Sequence, residues 1–193
     1  ASRKCNLVLV ARSEDALDKL STEIKTLHGV ECSYVLADLT DQQGIDKVVQ
    51  LIEEKKLPIN ILINNAGYGL WGSLEKTELS ATKDMMQINM MTPVELSYRM
   101  IPIMKASGQQ SYILNVASTA AYQAVPTLAV YSASKAFMVL FTRGLRLELK
   151  NENISVTCLS PGTTETNFMN AAGMTASPSI IKKASKVIMK ADV

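Results

Sequence analysis

The residue types in this chain best suited to chemistry stand together in Tyr131-Ser132-Ala133-Ser134-Lys135, with Ser118 upstream closing the run Asn115-Val116-Ala117-Ser118. Residues four apart on a helix lie on one face a turn apart, so the Lys135 ammonium can sit beside the Tyr131 phenol. An unperturbed tyrosine has a pKa of about 10 and is a poor acid or base near neutrality, whereas a neighbouring cation favours the phenolate and lowers that value. The expected chemistry is proton exchange between Tyr131 and a carbonyl or alcohol oxygen. With 6 Tyr and 15 Lys among 193 residues, chance alone supplies roughly half a Tyr-x-x-x-Lys pair, so the surroundings must decide.

Those surroundings are two further strand-to-turn transitions. Ile61-Leu62-Ile63-Asn64-Asn65-Ala66-Gly67 is an apolar run ending in a small, polar turn, and Ser160-Pro161-Gly162-Thr163-Thr164-Glu165-Thr166 follows the apolar run Ile154 to Leu159. Taken singly, each also reads as an ordinary strand-end turn. The elements that must position them alternate short β-type runs with longer helical patterns. Strands are expected at Asn6–Val10, Cys32–Ala37, Ile59–Ile63, Tyr112–Val116 and Ile154–Leu159, and helices at Glu14–Leu27, Asp41–Leu57, Ser80–Lys105 and Leu128–Leu149. Thr40 with Gln43 reads as a capping box for the second helix, and near-continuous apolar strands suit a parallel sheet covered on both faces. The expected fold class is α/β, a Rossmann-type doubly wound parallel sheet in a single domain over residues 1–193.

From Cys5 to Met169 the chain resembles the short-chain dehydrogenase/reductase family, through Asn64-Asn65-Ala66-Gly67, Asn89 in Gln87-Ile88-Asn89-Met90, Ser118, Tyr131 with Lys135, and Pro161-Gly162 followed by Thr166, all in the family's order. The resemblance implies an oxidoreductase that moves a hydride between a nicotinamide cofactor and a carbonyl or secondary alcohol. Tyr131 would be the general acid or base, Lys135 would lower its pKa and hold the nicotinamide ribose, and Ser118 would bond the reacting oxygen. Asn89 would position a proton relay. Asn65, Ala66 and Gly67 would pass close to the adenosine ribose and diphosphate, Asp38 with Leu39 would meet the adenine, and Pro161, Gly162, Thr164 and Thr166 would secure the carboxamide. Ala11 stands where NAD-preferring members place an acid, and Arg12 with Ser13 suits a 2′-phosphate, so NADP(H) is expected over NAD(H). A solvated arginine at a strand-to-helix turn is the plain alternative for Arg12.

The same design begins with a strand and a glycine-rich turn, yet no glycine precedes Gly29. The expectation is a domain incomplete at its N-terminus and, with Lys186 to Val193 standing where a final strand would follow, at its C-terminus. At 47% hydrophobic, 20% charged and net charge +2 the composition is that of a globular domain, without the basic stripe of a nucleic-acid or membrane-surface binder. Cys5, Cys32 and Cys158 lack ligand-like spacing and read as reduced thiols of a cytoplasmic chain, with no metal site. His28, before Gly29, reads as a residue at a helix C-terminus. Substrate contacts are expected from Tyr68, Leu70 and Trp71, from Tyr122 to Val125, and from Phe168 to Met174, which suits a small carbonyl or alcohol with a hydrophobic portion. Surplus apolar groups on the last helix, such as Phe137, Leu140 and Leu147, point to a homodimer or homotetramer. A non-catalytic NAD(P)-binding sensor or scaffold on the same fold is the alternative function, and the joint presence of Asn89, Ser118, Tyr131 and Lys135 argues for the enzyme.

Overall fold

A computed structural model of the chain describes residues 1–162. Chain contacts divide it after Pro58 into two compact units, one opening at Ala1 and the other at Ile59. The first unit runs β1 (Leu7–Ala11), α1 (Glu14–His28), β2 (Cys32–Leu36) and α2 (Gln42–Glu54). β1 and β2 pair in parallel, from Leu7 opposite Cys32 to Ala11 opposite Leu36, with α1 as the crossover that parallel pairing demands.

α1 opens on Glu14 and Asp15 and closes on Lys25 and His28, the charge order favoured by the helix dipole. Gly29 ends it at φ 60°, where its N–H donates to the Lys25 carbonyl at 3.0 Å. His28 therefore occupies the helix terminus expected of it. α2 buries Ile45, Val48, Val49 and Ile52, a single helical face, and each such side chain is worth roughly 1.5–3 kcal/mol of burial.

The cap of α2 departs from the sequence expectation. Asp41, not Thr40, is the N-cap, its carboxylate accepting the Gly44 N–H at 2.6 Å. The reason is that the Thr40 hydroxyl donates to Asp38 Oδ1 at 2.7 Å, leaving the stronger acceptor next in line to serve the helix.

The second unit runs β3 (Ile61–Asn64), α3 (Leu79–Met86), α4 (Thr92–Ser107), β4 (Ser111–Val116), α5 (Ala129–Glu148) and β5 (Ile154–Leu159). Its strands pair in the order β3-β4-β5, all parallel. The single helix expected around residues 80–105 is instead two, separated by a π-helical turn over Gln87–Met91. Two causes coincide there. Asn89 turns inward to bond the loop after β3, and Pro93 opens α4 where a missing N–H is tolerated.

β4 buries Ser111, Ile113 and Asn115, and β5 buries Ile154 and Val156. Against Ala117, at the end of β4, pack Met138 and Val139 of α5. The expected cover on both sheet faces is not seen among the described residues: Ile61, Ile63, Tyr112 and Leu159 remain 48%, 57%, 49% and 50% exposed. Also among the described residues, no helix is long and apolar enough to cross a membrane, and no cluster of three His, Cys, Asp or Glu side chains could hold a metal.

Candidate active site

Asn64, Val116 and Leu159 are the carboxyl ends of the three parallel strands of the second unit, and the residues that follow them make the site. After β4, extended backbone at Ser118 starts a 3-10 turn over Thr119–Tyr122, and the Ser118 hydroxyl accepts the Ala120 N–H at 3.2 Å. The Thr119 N–H donates to the Pro161 carbonyl at 2.9 Å, which draws the Pro161-Gly162 turn alongside. Thr164 and Thr166 lie outside the described residues, as do Phe168 to Met174.

α5 carries Tyr131 and Lys135 on its buried side, 7% and 6% exposed. The Tyr131 hydroxyl is in hydrogen-bond contact with Ser118. The Lys135 ammonium donates to the Val116 carbonyl at 3.0 Å and stands 5.9 Å from the centroid of the Tyr131 ring. Burial pushes the Tyr131 pKa above its usual value, with the Ser118 bond opposing, and pulls the Lys135 ammonium down to about 8. Here the expectation that Lys135 lowers the Tyr131 pKa is corrected. Desolvation of the phenolate outweighs the hydrogen bond, and the ammonium is committed to a backbone carbonyl.

Asn89 is fully enclosed at 1% exposed, and its amide clasps Tyr68 from both sides, accepting its N–H at 3.1 Å and donating to its carbonyl at 2.9 Å. It also donates to Ser134 Oγ at 3.0 Å, and Ser134 in turn donates to the Tyr131 carbonyl at 2.7 Å. Asn65, Ala66 and Gly67 are exposed at the mouth of this arrangement. At Gly67 a Cβ would lie 2.5 Å from Asn89 Oδ1, so any larger residue has to displace the Asn89 amide.

Tyr131, Met85 and Leu128 form a buried cluster against which Tyr68, Leu70, Trp71, Ala120 and Val125 pack. The loops expected to meet substrate after β3 and after Ser118 thus supply an apolar wall beside the Tyr131 ring. Sequence reasoning missed Ser134 and the Val116 carbonyl. For Ser134 a signal existed, a hydroxyl on the Tyr131 side of α5. For the carbonyl there was none.

In the first unit, Arg12 follows β1 with its side chain 73% exposed and Nη1 3.6 Å from Asp38 Oδ2. Asp38 also accepts the Thr40 N–H at 2.9 Å. The Thr40 backbone and hydroxyl bonds, then Arg12, hold its carboxyl below the usual range against a small desolvation cost. Ser13, exposed, begins α1 without capping it by its side chain, and Leu39 is buried.

Comparison with known proteins gives the family and the fold. The family model described as short chain dehydrogenase matches residues 1–176. A probable short-chain type dehydrogenase/reductase of Helicobacter pylori is 32% identical over 157 residues, covering 81% of this chain and 58% of its own length. The very-long-chain 3-oxoacyl-CoA reductase of Anas platyrhynchos is 33% identical over 166 residues, 83% of this chain and 52% of its own length. The chain thus spans little more than half the length of these curated relatives. Among solved structures, a short-chain dehydrogenase from Sphingobium yanoikuyae in complex with NADPH superposes with a TM-score of 0.84 at 26% identity, covering 98% of this chain and 78% of that one. Parallel βαβ units, a Ser118–Tyr131–Lys135 cluster at the strand ends and a family match over most of the sequence lead to one statement: the chain belongs to the short-chain dehydrogenase family, with its Rossmann-type α/β fold.

Proposed function

We propose that the protein is an NADP(H)-dependent oxidoreductase that interconverts a carbonyl and a secondary alcohol, with Tyr131 as general acid and base. The observation that carries this reading is the contact of a buried, protonated Tyr131 hydroxyl with Ser118, beside the Lys135 ammonium. In the reducing direction the phenol donates its proton to the carbonyl oxygen, and the Ser118 hydroxyl bonds that oxygen and stabilises the negative charge it gains. The raised pKa leaves the proton on Tyr131 at neutral pH, and the Ser118 bond, which opposes the rise, offsets part of the weaker acidity that burial imposes. Asn89 and Ser134 fix the loop at Tyr68 and the backbone of α5, and Leu70, Trp71 and Val125 give the Tyr131 ring an apolar, partly buried wall.

Each unit by itself carries residues that fit part of a phosphorylated nicotinamide dinucleotide: in the first, an exposed guanidinium at Arg12 with the Ser13 hydroxyl for a 2′-phosphate; in the second, the open Asn65–Gly67 backbone and the Lys135 ammonium for ribose hydroxyls. Such a cofactor supplies the hydride. The NADPH of the Sphingobium relative supports that choice, and the 3-oxoacyl activity of the Anas relative, with the apolar wall here, supports a ketone bearing a long hydrophobic portion. One face of α5, carrying Leu140 and Leu147 two turns apart and each 72% exposed, supports a homodimer or homotetramer. Three free thiols support a reducing compartment such as the cytoplasm.

The test is to follow NADPH oxidation by the purified protein across ketones, aldehydes and 3-oxo esters of increasing chain length. Turnover that rises with chain length is expected. Tight NADPH binding with no turnover of any member would instead favour the sensor or scaffold.

A further inference from the structure

Directly beneath the site lies a ladder of buried polar side chains that the proposed chemistry does not use. Asn64 and Asn115 are register partners on β3 and β4, 6% and 0% exposed. Asn64 Nδ2 donates to Asn115 Oδ1 at 2.8 Å and lies 3.4 Å from Ser97 Oγ on α4. Asn115 Nδ2 donates to Thr142 Oγ1 on α5 at 2.9 Å, and that hydroxyl, itself 0% exposed, donates onward to the Met138 carbonyl at 2.6 Å. Asn64 Oδ1 is the one atom of the ladder without a partner.

Buried amides at the carboxyl ends of apolar strands are costly unless bonded, and an apolar residue of equal volume would fill the same space. The polarity therefore calls for a reason other than packing. Each rung ends at the site. Asn64 immediately precedes the Asn65–Gly67 turn, Asn115 adjoins the Val116 carbonyl that holds Lys135 and stands three residues before Ser118, and Thr142 lies on α5 two turns beyond Lys135.

We propose that Asn115 is a positioning residue: by joining β3, β4 and α5 with directional bonds, it sets how far α5 lies along β4 and so brings the Tyr131 hydroxyl level with Ser118. Beside this ladder α5 meets β4 through the Lys135 ammonium on the Val116 carbonyl, at the end of a long flexible side chain, and through Met138 and Val139 against Ala117, apolar contacts that tolerate small slips. A hydrogen bond between short side chains does not, and a misplacement of about 1 Å at a reacting group can cost ~10²-fold in rate. The inference rests on Tyr131 and Ser118 being the proton-transfer pair.

Thr142→Val keeps shape and severs the rung to α5, while Thr142→Ser keeps the hydroxyl. Tyr131 is followed by ¹³Cζ-tyrosine NMR titration, assigned by the resonance missing in Tyr131→Phe, which needs neither substrate nor turnover. In folded Thr142→Val the Tyr131 titration should move further upward as the Ser118 bond loosens, kcat should fall about tenfold with the KM for NADPH within twofold, and Thr142→Ser should restore both. Asn115→Leu combined with Thr142→Val should lose no more than the worse single variant, as expected of one unit. An unchanged Tyr131 titration in folded Thr142→Val overturns the positioning role whether or not the protein turns over. A wild type with a titration that responds but no turnover sinks the proposed activity alone. Thr142→Ala is the second variant should Thr142→Val not fold, and failure of both to fold contradicts the proposal, because the ladder would then serve stability itself.

Discussion

Tyr131 and Lys135 show how burial sets protonation before any ligand arrives. Lys135 has a folded pKa of about 8 against an ordinary value of 10.5, so the folded state disfavours its charge. The sign follows directly. Below pH 8 both states hold the proton and the full cost is present; from pH 8 to 10.5 the unfolded chain holds a proton the folded one lacks, so stability rises; above 10.5 the cost is gone. Lys135→Met should therefore be more stable than wild type by about 1–2 kcal/mol at pH 7, after allowing for the Val116 carbonyl left without its donor, with the advantage shrinking towards pH 10. Urea unfolding at both pH values checks this, and an advantage that grows with pH contradicts it. Arg12 offers the second residue-scale test. Among the described residues its guanidinium is held by an exposed pairing with Asp38, worth little and readily exchanged for a phosphate. Arg12→Ala should weaken NADPH by about 10-fold or more and NADH by less than 3-fold in fluorescence titrations, and equal losses would remove Arg12 from cofactor selection.

Among the elements, the π-helical turn at Gln87–Met91 matters most, because it turns Asn89 into the grip on Tyr68. Gly67→Ala would drive a Cβ to 2.5 Å from Asn89 Oδ1. The expected result is a retained circular dichroism spectrum with turnover reduced at least about tenfold, and wild-type turnover would show that Asn89 can yield. The strands and the βα rhythm were legible because Leu7 to Val10, Ile61 to Ile63 and Ile154 to Leu159 are apolar runs closed by turn residues. Ser118, Tyr131, Lys135 and Asn89 were legible as a set through spacing and resemblance, and the structure brings them together. The break at Asn89 was not legible, since a π turn differs from a helix only in where one side chain must reach. The cap at Asp41 was missed for a similar reason, because Thr40 looks equally able until Asp38 is seen to occupy its hydroxyl. The direction of the Tyr131 shift was misread because sequence spacing shows the neighbouring charge but not the depth of burial.

For the molecule as a whole, Leu140 and Leu147 on α5 and Tyr98 on α4, 72–74% exposed, are apolar surface that a two-fold contact would cover. Sedimentation velocity at micromolar concentration should show a dimer or larger species, and a purely monomeric boundary would leave those residues without that partner. The central claim concerns the proton. Tyr131→Phe keeps the ring in its cluster with Met85 and Leu128 and removes only the hydroxyl shared with Ser118. The most direct measurement is single-turnover carbonyl reduction by this variant beside its NADPH affinity: reduction should fall ~10²–10⁴-fold while NADPH binds within a few-fold of wild type, and reduction within a factor of a few of wild type would contradict the account.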